Sequence, residues 1–176
     1  MKGVKTMKIL LVYASKTGTT AVCAAKLADY INEEVSVICL DADPFPDPAA
    51  FDVILMGSPL YAGKVLKTFR NYLHKYREIL LEKPVALFTC GASPPDEALA
   101  CLETEVGEAF WEHADPVKHF GGEVKMEKQN ILLRFMMRHL QKRQPFQSKI
   151  DDAAIISFAE RINQMGAEKE GVSHET

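Results

Sequence analysis

The chain has 176 residues, 47% of them hydrophobic and 26% charged, with a net charge of −3. That length suits one α/β domain with a sizeable core, and no apolar run approaches the ~20 residues of a membrane-spanning helix. Cys23, Cys39, Cys90 and Cys101 stand far apart without a C-x-x-C pair, which excludes a zinc ribbon or a disulfide frame and reads as free thiols.

Lys8 to Ala14 is a continuous apolar run of the kind expected in a strand buried on both faces. It stops at Ser15-Lys16-Thr17-Gly18-Thr19-Thr20, and Ala24, Leu27, Ala28 and Ile31 then recur at helical spacing. Val35 to Leu40 reads as a second strand, ended by the three prolines of Asp41 to Pro48. Asp52 to Gly57 is a third. Val65, Leu66, Phe69, Tyr72, Leu73, Tyr76 and Leu80 form the stripe of the next helix, and Pro84 to Thr89 a fourth strand. Asp96 is placed to cap a helix whose apolar face is Leu99, Leu102, Val106 and Phe110. A fifth strand is predicted in Val117 to Val124, across Gly121-Gly122. The closing helix, from about Asp151, turns Ile155, Phe158, Ala159, Ile162 and Met165 to one side.

Strands spaced one helix apart imply a parallel sheet with right-handed crossovers and helices on both faces. The predicted organisation is a single domain over 1–176, with its core at about 8–165. A basic, apolar insert occupies about 125–149, with an extra helical segment before the last helix, and a polar, frayed tail covers 166–176. Charge is divided unevenly: residues 118–149 carry eight Lys/Arg and two Glu, whereas the remainder carries 13 Lys/Arg and 22 Asp/Glu. The start of the chain lacks the apolar core of a signal peptide, so the expected location is the cytoplasm.

In an open parallel sheet, ligands bind beyond the carboxyl ends of the strands. After the first strand, Ser15 to Thr20 offers four hydroxyls, a glycine and the start of a helix, a nest suited to phosphate. The spacing is neither that of a Walker A loop nor G-x-G-x-x-G, which favours a mononucleotide over a dinucleotide. After the third strand comes Gly57-Ser58-Pro59-Leu60-Tyr61-Ala62-Gly63, and after the fourth Thr89-Cys90-Gly91-Ala92-Ser93-Pro94. Both are rich in small residues that let a flat ring approach the backbone, and Tyr61 supplies a stacking face. His74, His113, His119 and His139 have no ligand spacing and read as surface or packed residues.

These residues resemble the flavodoxin family. Its phosphate-loop pattern, T/S-x-T-G-x-T, is matched at every specified position by Ser15 to Thr20, and the resemblance runs from about Lys8 to Met165. It implies a flavodoxin-like doubly wound, five-stranded parallel sheet of order 2-1-3-4-5 and FMN as the cofactor. By this resemblance Ser15, Lys16, Thr17, Gly18, Thr19 and Thr20 hold the phosphate. Ser58, Pro59, Leu60, Tyr61, Ala62 and Gly63 flank the isoalloxazine, and Thr89, Cys90, Gly91 and Ala92 line its pyrimidine end. A pocket with no Arg or Lys against the ring disfavours an anionic reduced flavin and lowers its potential. A peptide carbonyl near Tyr61-Ala62 is placed to turn towards flavin N5, with Gly63 as its flexible partner.

One departure is that the third loop has no aromatic to stack on the ring. In this, and in the basic segment Glu123 to Arg143, the chain is similar to the branch of the family that includes the bacterial quinone-dependent protoporphyrinogen oxidase. Two functions follow: an FMN electron carrier between partner enzymes, or an FMN-dependent dehydrogenase of protoporphyrinogen or another hydrophobic substrate. For the basic insert three readings stand: a helix packed on the sheet edge, a surface for a hydrophobic anionic substrate or an acidic membrane face through 128–143, and a homodimer contact. Nucleic acid is not an expected partner. A phospho-receiver of the same architecture fails, because Met56-Gly57-Ser58 stands where its acceptor Asp belongs.

Overall fold

Along β1 (Lys8–Tyr13) Ile9 and Leu11 enter one buried cluster while Leu10 and Val12 enter another, as the two-residue period of a strand requires. The same alternation runs through β3 (Val53–Tyr61) and β5 (Val85–Cys90), where Val53, Leu55, Ala86, Phe88 and Cys90 face one side and Ile54, Met56, Val85 and Leu87 the other. The sheet is thus apolar on both faces. It is a computed structural model that describes residues 6–122 and 150–172.

With β2 (Glu34–Cys39) and β6 (Val117–His119), the parallel strands lie in the order β2-β1-β3-β5-β6. A two-residue strand, β4 (Lys64–Val65), pairs antiparallel with the end of β3. Leaving β4 aside, this is the predicted order 2-1-3-4-5. Helices α1 (Thr19–Tyr30) and α5 (Asp152–Val172) cover one face with Cys23, Ala24, Leu27, Ile155, Phe158 and Ile162. Helices α2 (Lys67–Leu81), α3 (Pro95–Val106) and α4 (Glu108–His113) cover the other with Phe69, Tyr72, Leu73, Leu102, Val106 and Phe110.

Several predicted boundaries change. The third strand does not end at Gly57 but runs to Tyr61 and turns back through Ala62-Gly63 into β4, which takes Val65 out of the helix stripe. The helix expected through Phe110 is two helices. Gly107, at φ +84°, ends α3 with its N–H bonded to Glu103 O, and its carbonyl then accepts from Trp111 N–H to begin α4. The buried face of α3 is Ala98, Leu102 and Val106, with Leu99 only half-buried. Asp96 lies inside the first turn, because Pro94 holds the capping position and Pro95 the first helical one. The helix from Asp152 continues to Val172 instead of fraying after Gly166, and Asp151 caps it by accepting from Ala154 N–H at 3.0 Å. The fifth strand is three residues long. The basic insert at 125–149, its extra helical segment and the partner surfaces assigned to 128–143 lie outside the described residues.

Candidate functional site

The carboxyl ends of β1, β3 and β5 bring three segments together, at the point where the order turns from β1–β2 on one side to β1–β3 on the other. The first is Ser15 to Thr20. Gly18 holds φ +93°, a left-handed conformation that a side chain disfavours, and thereby swings the chain into α1. No side chain caps this helix and no acidic residue lies in its first turn. The first turn of α1 carries the positive end of the helix dipole, which favours an anion. Ser15 Oγ accepts from Gly18 N–H at 3.2 Å, and Ser15 N–H donates to Asp41 Oδ2 at 2.8 Å. Thr19 and Thr20 are buried, and Thr20 Oγ1 has no hydrogen-bond partner among the described residues.

The second segment is the β3–β4 hairpin. Both turn residues have positive φ, Ala62 at 49° and Gly63 at 75°, the pattern of a type I′ turn with right-handed strand twist. Tyr61 is 40% exposed at the hairpin's end, and the Lys16 ammonium stands 5.6 Å from its ring centroid. The first and second segments therefore meet. Lys16 thus places a cation beside the exposed aromatic face of Tyr61. Ser58 is buried and its hydroxyl is committed: it donates to Pro59 O and accepts from Leu66 N–H at 3.1 Å. Pro59 is buried, Leu60 half-buried, and Ala62 and Gly63 exposed.

The third segment is shorter than the sequence implies. Thr89 and Cys90 belong to β5 and are fully buried. Thr89 Oγ1 donates to Ser58 O at 2.8 Å, tying the third segment to the base of the hairpin. The Cys90 thiol is turned into the core beside Cys23, and burial pushes its pKa well up, with Cys23 adding and the Thr20 hydroxyl opposing. Cys90 can present only backbone to a ligand. The open part of this segment begins at Gly91, whose N–H donates to Gly121 O at 2.9 Å, and continues through exposed Ala92. Behind it His119 is buried with neither ring nitrogen hydrogen-bonded among the described residues. Burial holds its pKa below the ordinary histidine value, although the backbone of Gly91, Ser93 and Thr89 and the Asp151 carboxylate favour the charged form.

A family model described as a flavodoxin domain matches residues 10–150. The chain belongs to the flavodoxin family. Among solved structures, the flavodoxin of Fusobacterium nucleatum bound to flavin mononucleotide is similar over 90% of this chain and 98% of that one, with 15% identity and a TM-score of 0.55. Oxidised flavodoxin 1 of Bacillus cereus is similar over 96% and 99%, with 17% identity and a TM-score of 0.51. The rubredoxin oxygen:oxidoreductase of the anaerobe Desulfovibrio gigas is similar over 92% of this chain, with 16% identity and a TM-score of 0.58. This flavodoxin-family chain spans 36% of that protein's length. A comparison with curated proteins finds no match.

Two further residues beside the first segment carry no sequence signal for a role there. In the sequence Asp41 is part of the proline-rich stop after β2, and Thr68 falls between the apolar positions of its helix. The two meet through a 2.7 Å hydrogen bond from Thr68 Oγ1 to Asp41 Oδ1. No helix among the described residues is long and apolar enough to cross a membrane.

Proposed function

We propose that this chain binds FMN non-covalently and uses it to carry electrons to or from a partner. The observation that carries the reading is the first segment: a T/S-x-T-G-x-T loop that opens an uncapped helix directly opposite an exposed tyrosine. The group fits the residues present. The left-handed Gly18 and the positive end of α1 suit a phosphate, and Tyr61 on an exposed turn suits a flat ring.

Ser15, Lys16, Thr17, Gly18, Thr19 and Thr20 would hold the phosphate, Lys16 adding a positive charge to the backbone donors. Leu60, Tyr61, Ala62 and Gly63 would lie along the ring, and Gly91 and Ala92 would line its far edge with backbone. Ser58, Pro59 and Thr89 serve instead as the fixed base, their polar atoms used within the protein. FMN, when bound, supplies transfer of one or two electrons. Lys16 favours negative charge nearby, which works against the low potential that a neutral pocket would set.

The partner is a redox protein or a small hydrophobic reductant. Titrating the protein with FMN while following flavin fluorescence tests the first part, and absence of binding overturns it. Mixing the flavin-loaded protein with protoporphyrinogen IX and a menaquinone analogue tests the second. Flavin-dependent porphyrin formation makes the chain a dehydrogenase, and none leaves it a carrier.

A further inference from the structure

We infer that the Asp41 carboxylate is the positioning residue of the phosphate loop, bracing it against α2 so that its donors are arranged before a phosphate arrives. The inference rests on the FMN reading above. Asp41 lies just beyond β2, 26 residues from Ser15 and 27 from Thr68, and uses one carboxylate oxygen for each. Oδ2 accepts the Ser15 N–H at 2.8 Å and Oδ1 accepts the Thr68 hydroxyl at 2.7 Å. Ser15 Oγ in turn accepts the Gly18 N–H at 3.2 Å. A continuous series of hydrogen bonds therefore runs from the first turn of α2, through Asp41 and Ser15, to the residue whose left-handed φ sets the start of α1.

Asp41 is the wrong charge to be a phosphate ligand. A carboxylate close to a phosphate repels it, and at this position the charge is worth keeping only for what it does to Ser15. Hydrogen bonds to a carboxylate are shorter and stronger than those to a neutral acceptor, and one carboxylate satisfies two donors from different elements at once. Without it, Ser15 N–H is left to water and the loop has one fewer contact fixing its course between β1 and α1. The cost of ordering the loop would then fall on ligand binding.

α2 also follows the hairpin directly. Leu66, just before the helix, donates its N–H to Ser58 Oγ, and Thr89 Oγ1 donates to Ser58 O. Asp41 therefore joins the phosphate loop to the same base on which the second and third segments rest.

The experiment compares FMN with riboflavin, which lacks the phosphate and so does not read the first loop. In Asp41→Ala, FMN affinity falls at least tenfold while riboflavin affinity stays within twofold of wild type. Asp41→Asn restores FMN binding to within threefold of wild type or better, because its Oδ1 accepts from Ser15 N–H, its amide donates to the Thr68 oxygen, and the repulsive charge is gone. Equal losses for both ligands, or no loss for either, overturn the inference. Should Asp41→Ala not fold, Thr68→Val decides: a selective loss of FMN affinity supports the brace, and an unselective one or none removes it. A wild-type protein that binds neither flavin refutes the FMN reading itself, and this inference falls with it; normal wild-type binding with unselective variants refutes the inference alone.

Discussion

The ring of Phe88 fills the space that a side chain at Gly57 would need: a Cβ there would come within 2.0 Å of the ring's far carbon. The two residues are register partners on β5 and β3, and Phe88 is held in place by stacking on Phe120 at 4.9 Å and an edge contact with Phe158 at 6.1 Å. Gly57→Ala should therefore destabilise the fold by about 3 kcal/mol, at the upper end of overpacking costs. Chemical unfolding measures this. A Gly57→Ala/Phe88→Leu double variant should recover part of the loss, and strict additivity would contradict the steric account.

Ala62 holds φ +49° without the freedom of glycine. Ala62→Gly should raise stability by up to about 1 kcal/mol, the left-handed strain relieved less the backbone entropy that glycine adds. Gly63→Ala should act oppositely, because φ is +75° and the new methyl would meet Cys101 Sγ at 3.3 Å. Thermal midpoints of the two variants should move in opposite directions.

Burial disfavours the charged form of His119, so the folded chain takes up a proton there less readily than the unfolded one. Stability should be unaffected by this group above its ordinary pKa of about 6.5 and should decline as pH falls below it, until the folded-state pKa is passed. The slope from one such group is at most about 1.4 kcal/mol per pH unit. His119→Gln should flatten the profile of urea-unfolding midpoints between pH 7 and 5, and an unchanged slope would place the effect elsewhere.

Cys23 and Cys90 are fully buried, whereas Cys39 and Cys101 are half-buried. With the Cys90 thiol shifted upward as well, a thiol reagent at pH 8 should label two cysteines of the native protein quickly and the other two only after denaturation. Peptide mass spectrometry identifies which. Fast labelling of Cys90 would mean that β5 opens on its own.

Tyr61→Ala should weaken FMN binding up to about tenfold, the worth of one aromatic stacking contact, with Tyr61→Phe close to wild type. The measurement is a fluorescence titration of each variant with FMN.

Most of the sheet could be read from the sequence, because β1, β3 and β5 are buried on both faces and show as unbroken apolar runs. The hairpin was hidden by composition: Gly57, Ser58 and Pro59 are poor strand formers, so the run seemed to stop where β3 continues. The usable signal was Ala62-Gly63, a two-residue turn with glycine second, between Leu60-Tyr61 and Lys64-Val65. The break at Gly107 was masked by the spacing of Leu102, Val106 and Phe110, which continues a helical stripe across it. Ser15 to Thr20 was legible as the turn from β1 into α1 and as a candidate anion site, because its chemistry is local. Asp41 was not, because its partners lie far away in sequence and no periodicity records such a contact.

Ser58 is bonded on both sides, through its carbonyl to Thr89 and through its hydroxyl to Leu66, while Ala62 and Gly63 at the hairpin tip are exposed. Amide exchange should accordingly divide within a few residues: the Leu66 N–H persists as long as the sheet does, and the tip exchanges freely. Whatever approaches Tyr61 meets a short arm rooted in the sheet, its exposed end and its bonded base lying on separate stretches of the same nine-residue strand.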